Sequence, residues 1–169
     1  MSSVKRKMDY NGIILCRIQA DLFKNYSKYC ECSPYFFIRR FMNSELATRF
    51  DDKTVLLEAS SNETFMNELD EQYGKTTFGN SKVVDQEVMY WVGYLYRYWS
   101  YVYDVPSSLL VNQVKPNMLF SRYELYHSQD LNYVIERIIE EDEILIHPKK
   151  TLQEVLDEYY EFMKSKNSN

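Results

Sequence analysis

Between Met89 and Tyr103 the chain gathers both of its tryptophans, Trp91 and Trp99, among Tyr90, Tyr94, Tyr96, Tyr98, Tyr101 and Tyr103. A single charge, Arg97, is set among them. Wound at about 100° per residue, Val84, Val88, Trp91, Leu95, Trp99 and Val102 form one stripe. Tyr90, Tyr94, Arg97 and Tyr101 form a second, about 120° round the helix. Gly93 and Ser100 share a third face, where a neighbouring helix backbone has room to approach. A helix that is apolar on most sides belongs inside a fold. The segment from about Lys82 to Tyr103 is therefore expected to be the buried centre of an all-α, single-domain bundle.

The rest of the chain supports that class. At 169 residues it is long enough for one domain with a real core and short for two. Four glycines and four prolines leave little material for long irregular loops. The net charge of −5 is unevenly spread: residues 1–50 carry nine Lys/Arg against four Asp/Glu, whereas 51–135 carry six against twelve. A basic head on an acidic body suits a protein partner of mixed charge better than wholesale nucleic-acid binding. The first residues, Met1 to Lys7, run into Asp9 and Asn11 rather than an apolar core, so no secretory signal is expected. No apolar run reaches membrane-spanning length. The odd set of cysteines, Cys16, Cys30 and Cys32, reads as reduced thiols in a cytoplasmic protein.

Along the chain the signals are helical. Residues 1–11 read as a flexible basic leader, 12–147 as the helical domain, and 148–169 as a separable amphipathic helix. From Gly12 to Tyr29 the stripe is Ile14, Ile18, Leu22 and Tyr26, broadened by Leu15 and Phe23. Ser33-Pro34 is an N-cap followed by proline at the first helical position, opening Tyr35–Met42. Asn43-Ser44 starts a short helix through Phe50, and Val55–Leu57 is strand or turn. Ser60-Ser61-Asn62-Glu63 has capping-box form, opening a helix with Phe65, Met66, Leu69 and Tyr73 inward, ended by Gly74. Lys75–Asn80 is a loop. Ser107/Ser108 caps a short helix and Pro116 restarts one through about Tyr126. Ser128-Gln129-Asp130 begins another, with Leu131, Val134, Ile135, Ile138 and Ile139 inward. Thr151 with Glu154 forms a capping box before a final helix with Leu152, Val155, Leu156, Tyr159, Phe162 and Met163 on one face. Glu154, Asp157, Glu158 and Glu161 lie on the other.

Catalytic signals are sparse. Cys30-x-Cys32 with His127 or His147 fits no zinc spacing closely, and neither histidine has a second ligand three to five residues away, so no metal is expected. There is no phosphate-cradling glycine loop, no nucleophile elbow and no His-Glu-x-x-His. The acidic helices are more simply solvated faces than paired acids. No enzyme and no cofactor is the resulting expectation. Arg97 among tyrosines reads either as part of a partner groove lined by Tyr90, Tyr94 and Tyr101 or as a structural arginine tied to a neighbouring carboxylate. The second is favoured, because core charges are normally paired. Residues 103–126 have the outline of a helix-turn-helix, but only Lys115 and Arg122 are cations there, too few for counterion release to supply DNA affinity. Arg39-Arg40, with Arg49 and the leader, makes the better basic patch.

Three stretches carry a family resemblance: Ile14–Gln19 with Phe37–Met42, Tyr90–Trp99, and Tyr126–Asp130 with Ile135–Ile138. Together, over about 12–140, they resemble a small bacterial helical family encoded beside toxin genes. The tail after about Asp142 departs from the family's shorter members. The resemblance implies an antitoxin-like protein whose partner is a cognate toxin, of ADP-ribosyltransferase type among the possibilities. The expected function is accordingly a non-catalytic, cytoplasmic protein-binding module that neutralises a toxin by direct contact, with a DNA-binding regulator as the alternative. Contact residues expected from this reading are Arg39, Arg40, Tyr90, Tyr94, Arg97 and Tyr101, with Leu152, Leu156, Tyr159 and Phe162 of the last helix.

Overall fold

Ten α-helices follow one another, and no strand occurs among the described residues. The structure, a computed structural model, describes residues 5–80 and 83–167. The helices are α1 (Tyr10–Asn25), α2 (Pro34–Met42), α3 (Glu45–Asp51), α4 (Asn62–Tyr73), α5 (Gln86–Tyr103), α6 (Ser107–Gln113), α7 (Pro116–Phe120), α8 (Tyr123–Tyr126), α9 (Leu131–Glu141) and α10 (Leu152–Asn167). None of them is long and apolar enough to cross a membrane.

The aromatic segment is the core helix α5, with Val92, Leu95, Tyr96 and Trp99 fully buried. It begins at Gln86, where the Asp85 carboxylate accepts from the Glu87 amide. Lys82, the expected start, lies outside the described residues. Asp104 ends the helix in a left-handed conformation at φ 51°. Tyr96 buries its ring without wasting its hydroxyl, which donates to the Val114 carbonyl at 2.6 Å.

Helix α1 runs antiparallel to α5: Gly12 meets Tyr101, Gln19 meets Arg97, and Lys24 pairs with Glu87. The two backbones come close at Gly93, as the small-residue face of α5 predicts. A Cβ placed there would stand 2.8 Å from Cγ of Phe23 and 3.0 Å from the Ala20 Cα. Gly93→Ala should therefore destabilise the fold by up to about 2 kcal/mol, because overpacking of about 1–3 kcal/mol outweighs the roughly 1 kcal/mol gained in helix propensity. A fall in the urea midpoint at unchanged slope measures it, and a rise would mean that α1 yields freely.

The inward face of α1 is rotated from the expected Ile14–Ile18 stripe. Leu15, Cys16, Gln19, Ala20, Leu22 and Phe23 are buried, while Ile14 and Ile18 are only half-buried. A polar residue, Gln19, occupies the centre of that face, so a stripe drawn through apolar residues alone takes the wrong phase.

The same core continues from α1 into α2, α3 and α4 through phenylalanines. Phe23 meets Phe37 and Phe41 edge-on, each at 5.2 Å between centroids, and Phe50 continues the chain from Phe41 at 5.5 Å to Phe65 at 5.7 Å. Edge-to-face pairs at such spacing add about 0.5–1.5 kcal/mol each beyond their buried area. Ser33 and Ser44 cap α2 and α3 as expected. The α4 cap is Ser61, and Val55–Leu57 is a 3-10 turn. The expected helix from Pro116 to Tyr126 is broken into α7 and α8.

The leader departs from expectation within the described residues. From Lys5 onward it is docked: the Arg6 amide donates to the Val102 carbonyl at 2.7 Å, and Lys5 pairs with Glu136. Arg6 sits over the Tyr101 ring at 5.0 Å and Lys5 over Tyr103 at 5.4 Å. The cations expected to keep this segment solvated instead find tyrosine faces on α5. Helix α1 then starts at Tyr10, two residues early, with Asp9 as its cap.

Candidate functional site

Arg97 is the only fully buried charge on α5, and every nitrogen of its guanidinium has an acceptor. Nε donates to Gln19 Oε1 at 2.8 Å, Nη1 to Asp51 Oδ1 at 2.6 Å, and Nη2 to Ser107 Oγ at 2.7 Å. Gln19 in turn donates to the Gly93 carbonyl at 3.0 Å. Asp51, the last residue of α3, also accepts from the Ser107 hydroxyl at 2.6 Å and from the Ser107 amide at 3.0 Å. Ser100 gives its proton to the Val105 carbonyl at 2.6 Å. The Phe50 ring lies 5.3 Å from the guanidinium carbon.

The cluster thus ties four helices, α1, α3, α5 and α6, through one cation and one carboxylate. Its arginine is 1% exposed, so no partner can touch it. Asp51 alone reaches the surface, beside a shallow cleft of about 320 Å³ between α3 and α6. The favoured reading of Arg97 as a structural arginine holds, and the partner groove does not form around it. Tyr101, on the same stripe, is also buried. Its hydroxyl donates to Asp9 at 2.7 Å, and burial, then the Asp9 carboxylate, push it up to about 12. Tyr90 and Tyr94 stay half-buried, their rings 6.3 Å apart.

Ser107 was expected to cap α6. The cap position falls to Pro106, and the serine hydroxyl serves Asp51 and Arg97 instead. Neither Gln19 nor Asp51 carries a local signal for this role; both are read only once the helices are packed.

The basic patch is largely consumed by the fold. Arg40 donates to the Gly74 and Tyr73 carbonyls at 2.8 and 2.9 Å, finishing the C-terminus of α4, and lies between the Phe36 and Tyr73 rings. Arg49 binds Glu58 at 2.9 Å and Glu68 at 2.6 Å. Arg39 remains half-buried on α2. In the helix-turn-helix outline, α7 has five residues, and Arg122 is held by Asp142 at 2.6 Å. Little of either region is left to meet a phosphate backbone.

Compared with protein-family models, curated proteins and solved structures, the chain finds no match.

Helix α10 is the part of the chain that its own fold does not cover. Segment 143–149 is anchored: Ile144 and Ile146 are buried, and the Lys149 amide donates to the Tyr103 carbonyl at 3.0 Å. Beyond it none of the described α10 side chains is buried. The capping box forms, with the Thr151 amide on Glu154 at 2.7 Å and the Glu154 amide on Thr151 at 3.3 Å. Leu152, Tyr159 and Phe162 nonetheless stand 76%, 56% and 55% exposed. With Val155, Leu156 and Met163 they form one continuous stripe at i, i+3, i+4, i+7, i+10 and i+11. Lys150 bridges to Glu158 at 2.6 Å along its flank. An apolar helix face of this kind, rimmed by acids, has the chemistry of a groove-binding element.

Proposed function

We propose that the chain is a non-catalytic protein-binding module, the antitoxin-like half of a toxin–antitoxin pair acting in the bacterial cytoplasm. It neutralises its toxin by laying α10 into an apolar groove bordered by basic residues. The exposed stripe of α10 carries the binding part of this reading, and the family resemblance of the α5 segment carries the antitoxin part. Glu154, Asp157, Glu158 and Glu161 flank the stripe, which is why the groove's rim is assigned basic residues. The helical body supplies a rigid mount, with the linker at Ile144 and Ile146 fixing where α10 leaves it.

Co-expression of the chain with the product of the neighbouring gene tests this. The two should co-purify as a stoichiometric complex, and growth arrested by the neighbour alone should be restored. No complex and no rescue would end the antitoxin reading. Rescue that persists after residues 150–169 are deleted would move the contact surface off α10.

A further inference from the structure

Cys30 and Cys32 bracket one residue between the 3-10 turn that follows α1 and the cap of α2, and their sulfurs stand 2.8 Å apart. The Cys32 amide points at Cys30 Sγ from 3.3 Å. Two clefts adjoin the pair: Cys32, buried, lines only the first, whereas Cys30, half-buried, lines both. The first, of about 360 Å³, is bounded by Lys24, Tyr26 and Met89. The second, of about 390 Å³, is bounded by Asp70, Lys75 and Thr76. The two sulfurs are therefore unequal in access and nearly in bonding contact.

We infer that Cys30 and Cys32 form a thiol–disulfide exchange site for a small-molecule disulfide of the glutathione class, with Cys30 attacking and Cys32 resolving. The Cys30 thiolate attacks one sulfur of the disulfide, forming a Cys30 mixed disulfide and releasing one thiolate, which takes a proton from water. Cys32 then gives its proton to solvent and attacks the Cys30 sulfur, expelling the second half as a thiolate, which takes a proton from solvent. Two electrons pass from the protein to the small disulfide, and a Cys30–Cys32 bond closes. The move required is short, since a disulfide spans about 2.05 Å. The electrostatics divide the roles the same way. Hydrogen bonding with Cys32 lowers the Cys30 pKa against the opposing effects of burial and the Asp70 charge, with Arg40 acting in the lowering sense, while Cys32 is raised by that bond and by burial. Cys16 is excluded from the chemistry, being fully buried with its thiol pushed up to about 12. Lys75, lining the second cleft with Glu31 and Asp70, is the cation there for a carboxylate of such a ligand.

The segment concerned is one the fold uses. The Ser33 amide donates to the Phe78 carbonyl at 2.8 Å, Cys30 Sγ lies 3.8 Å from the Thr76 carbonyl, and Tyr26 donates to the Cys32 carbonyl at 3.2 Å. The bond would close in the segment that seats loop 75–80, whereas the contacts of the antitoxin reading lie on α10, so this site stands independently of that reading.

The test is equilibration of the reduced full chain with glutathione and its disulfide, followed by acid quench, alkylation and peptide mapping. The tryptic peptide Tyr29–Arg39 holds both cysteines. It should appear two hydrogens lighter and unalkylated, with Cys16 fully alkylated. C32S should trap a stable glutathione adduct on Cys30, formed at least about tenfold faster than any adduct on Cys32 in C30S, since the more accessible, lowered thiol is the reactive one. A wild-type peptide alkylated at both positions, a persistent adduct, or a disulfide between chains overturns the assignment. Phenylarsine oxide, which closes a ring on adjacent dithiols, needs no variant: one equivalent should bind per chain, and none bound also overturns it.

Discussion

Asp51→Ala is expected to lower the unfolding free energy by about 3–5 kcal/mol, the range for breaking a buried ion pair by removing one partner. The substitution leaves the Arg97 guanidinium 1% exposed among Phe50, Gln19 and Ser107, with no carboxylate in reach and the Ser107 amide stripped of its acceptor. Arg97→Met should cost less. Asp51 is 22% exposed at its side chain, reaches the cleft beside α6, and keeps both donors of Ser107. A double variant pairing Arg97→Met with Asp51→Ala should be less destabilised than the two singles added together, by at least about 1 kcal/mol, because the second change removes a partner already orphaned. Urea titrations at two salt concentrations read all three. The loss should barely depend on salt, since a pair this enclosed is poorly screened. Additive singles, or an Asp51→Ala loss under about 1 kcal/mol, would show that the cluster does not clamp the four helices.

That cluster also marks the boundary of what the chain's pattern discloses. Helix α5 was legible because its burial is written in its own residues: a segment apolar on three sides has only one place to go. The caps at Ser33, Ser44 and Asp130 and the stop at Gly74 were legible for the same reason, each being a local hydrogen-bonding problem solved within four residues. Asp51 and Gln19 stand 46 and 78 positions from Arg97, and nothing near them says which helix they will face. Ser107 was misread because a serine after proline near a helix start serves equally as a cap or as a tertiary donor, and packing chose the second. Arg40 was misread as a surface cation because its partners are the final carbonyls of α4, groups that no side-chain pattern displays. The stripe of α10 was plain in the sequence, but periodicity reports that a face is apolar and never what covers it.

Leu156→Asp with Phe162→Asp should leave the unfolding free energy within about 0.5 kcal/mol of the wild type, as for exposed positions generally. Neither side chain is buried, and the body's core closes at Ile144 and Ile146, before α10 begins. The same pair should weaken binding to the toxin partner proposed above by at least about 100-fold, close to 3 kcal/mol. Each anchor gains about 1.5–3 kcal/mol on full burial, and two carboxylates driven into an apolar groove lose that and add their own desolvation. Reversing the rim with Asp157→Lys and Glu158→Lys should act differently, slowing association and flattening its salt dependence while the dissociation rate changes little. Chemical denaturation and surface-immobilised binding at two ionic strengths separate these outcomes. Full affinity in the Leu156→Asp, Phe162→Asp variant removes α10 from the interface. A large loss of stability in that variant points the other way, to a stripe that closes onto its own body, and the partner must then be sought elsewhere on the surface.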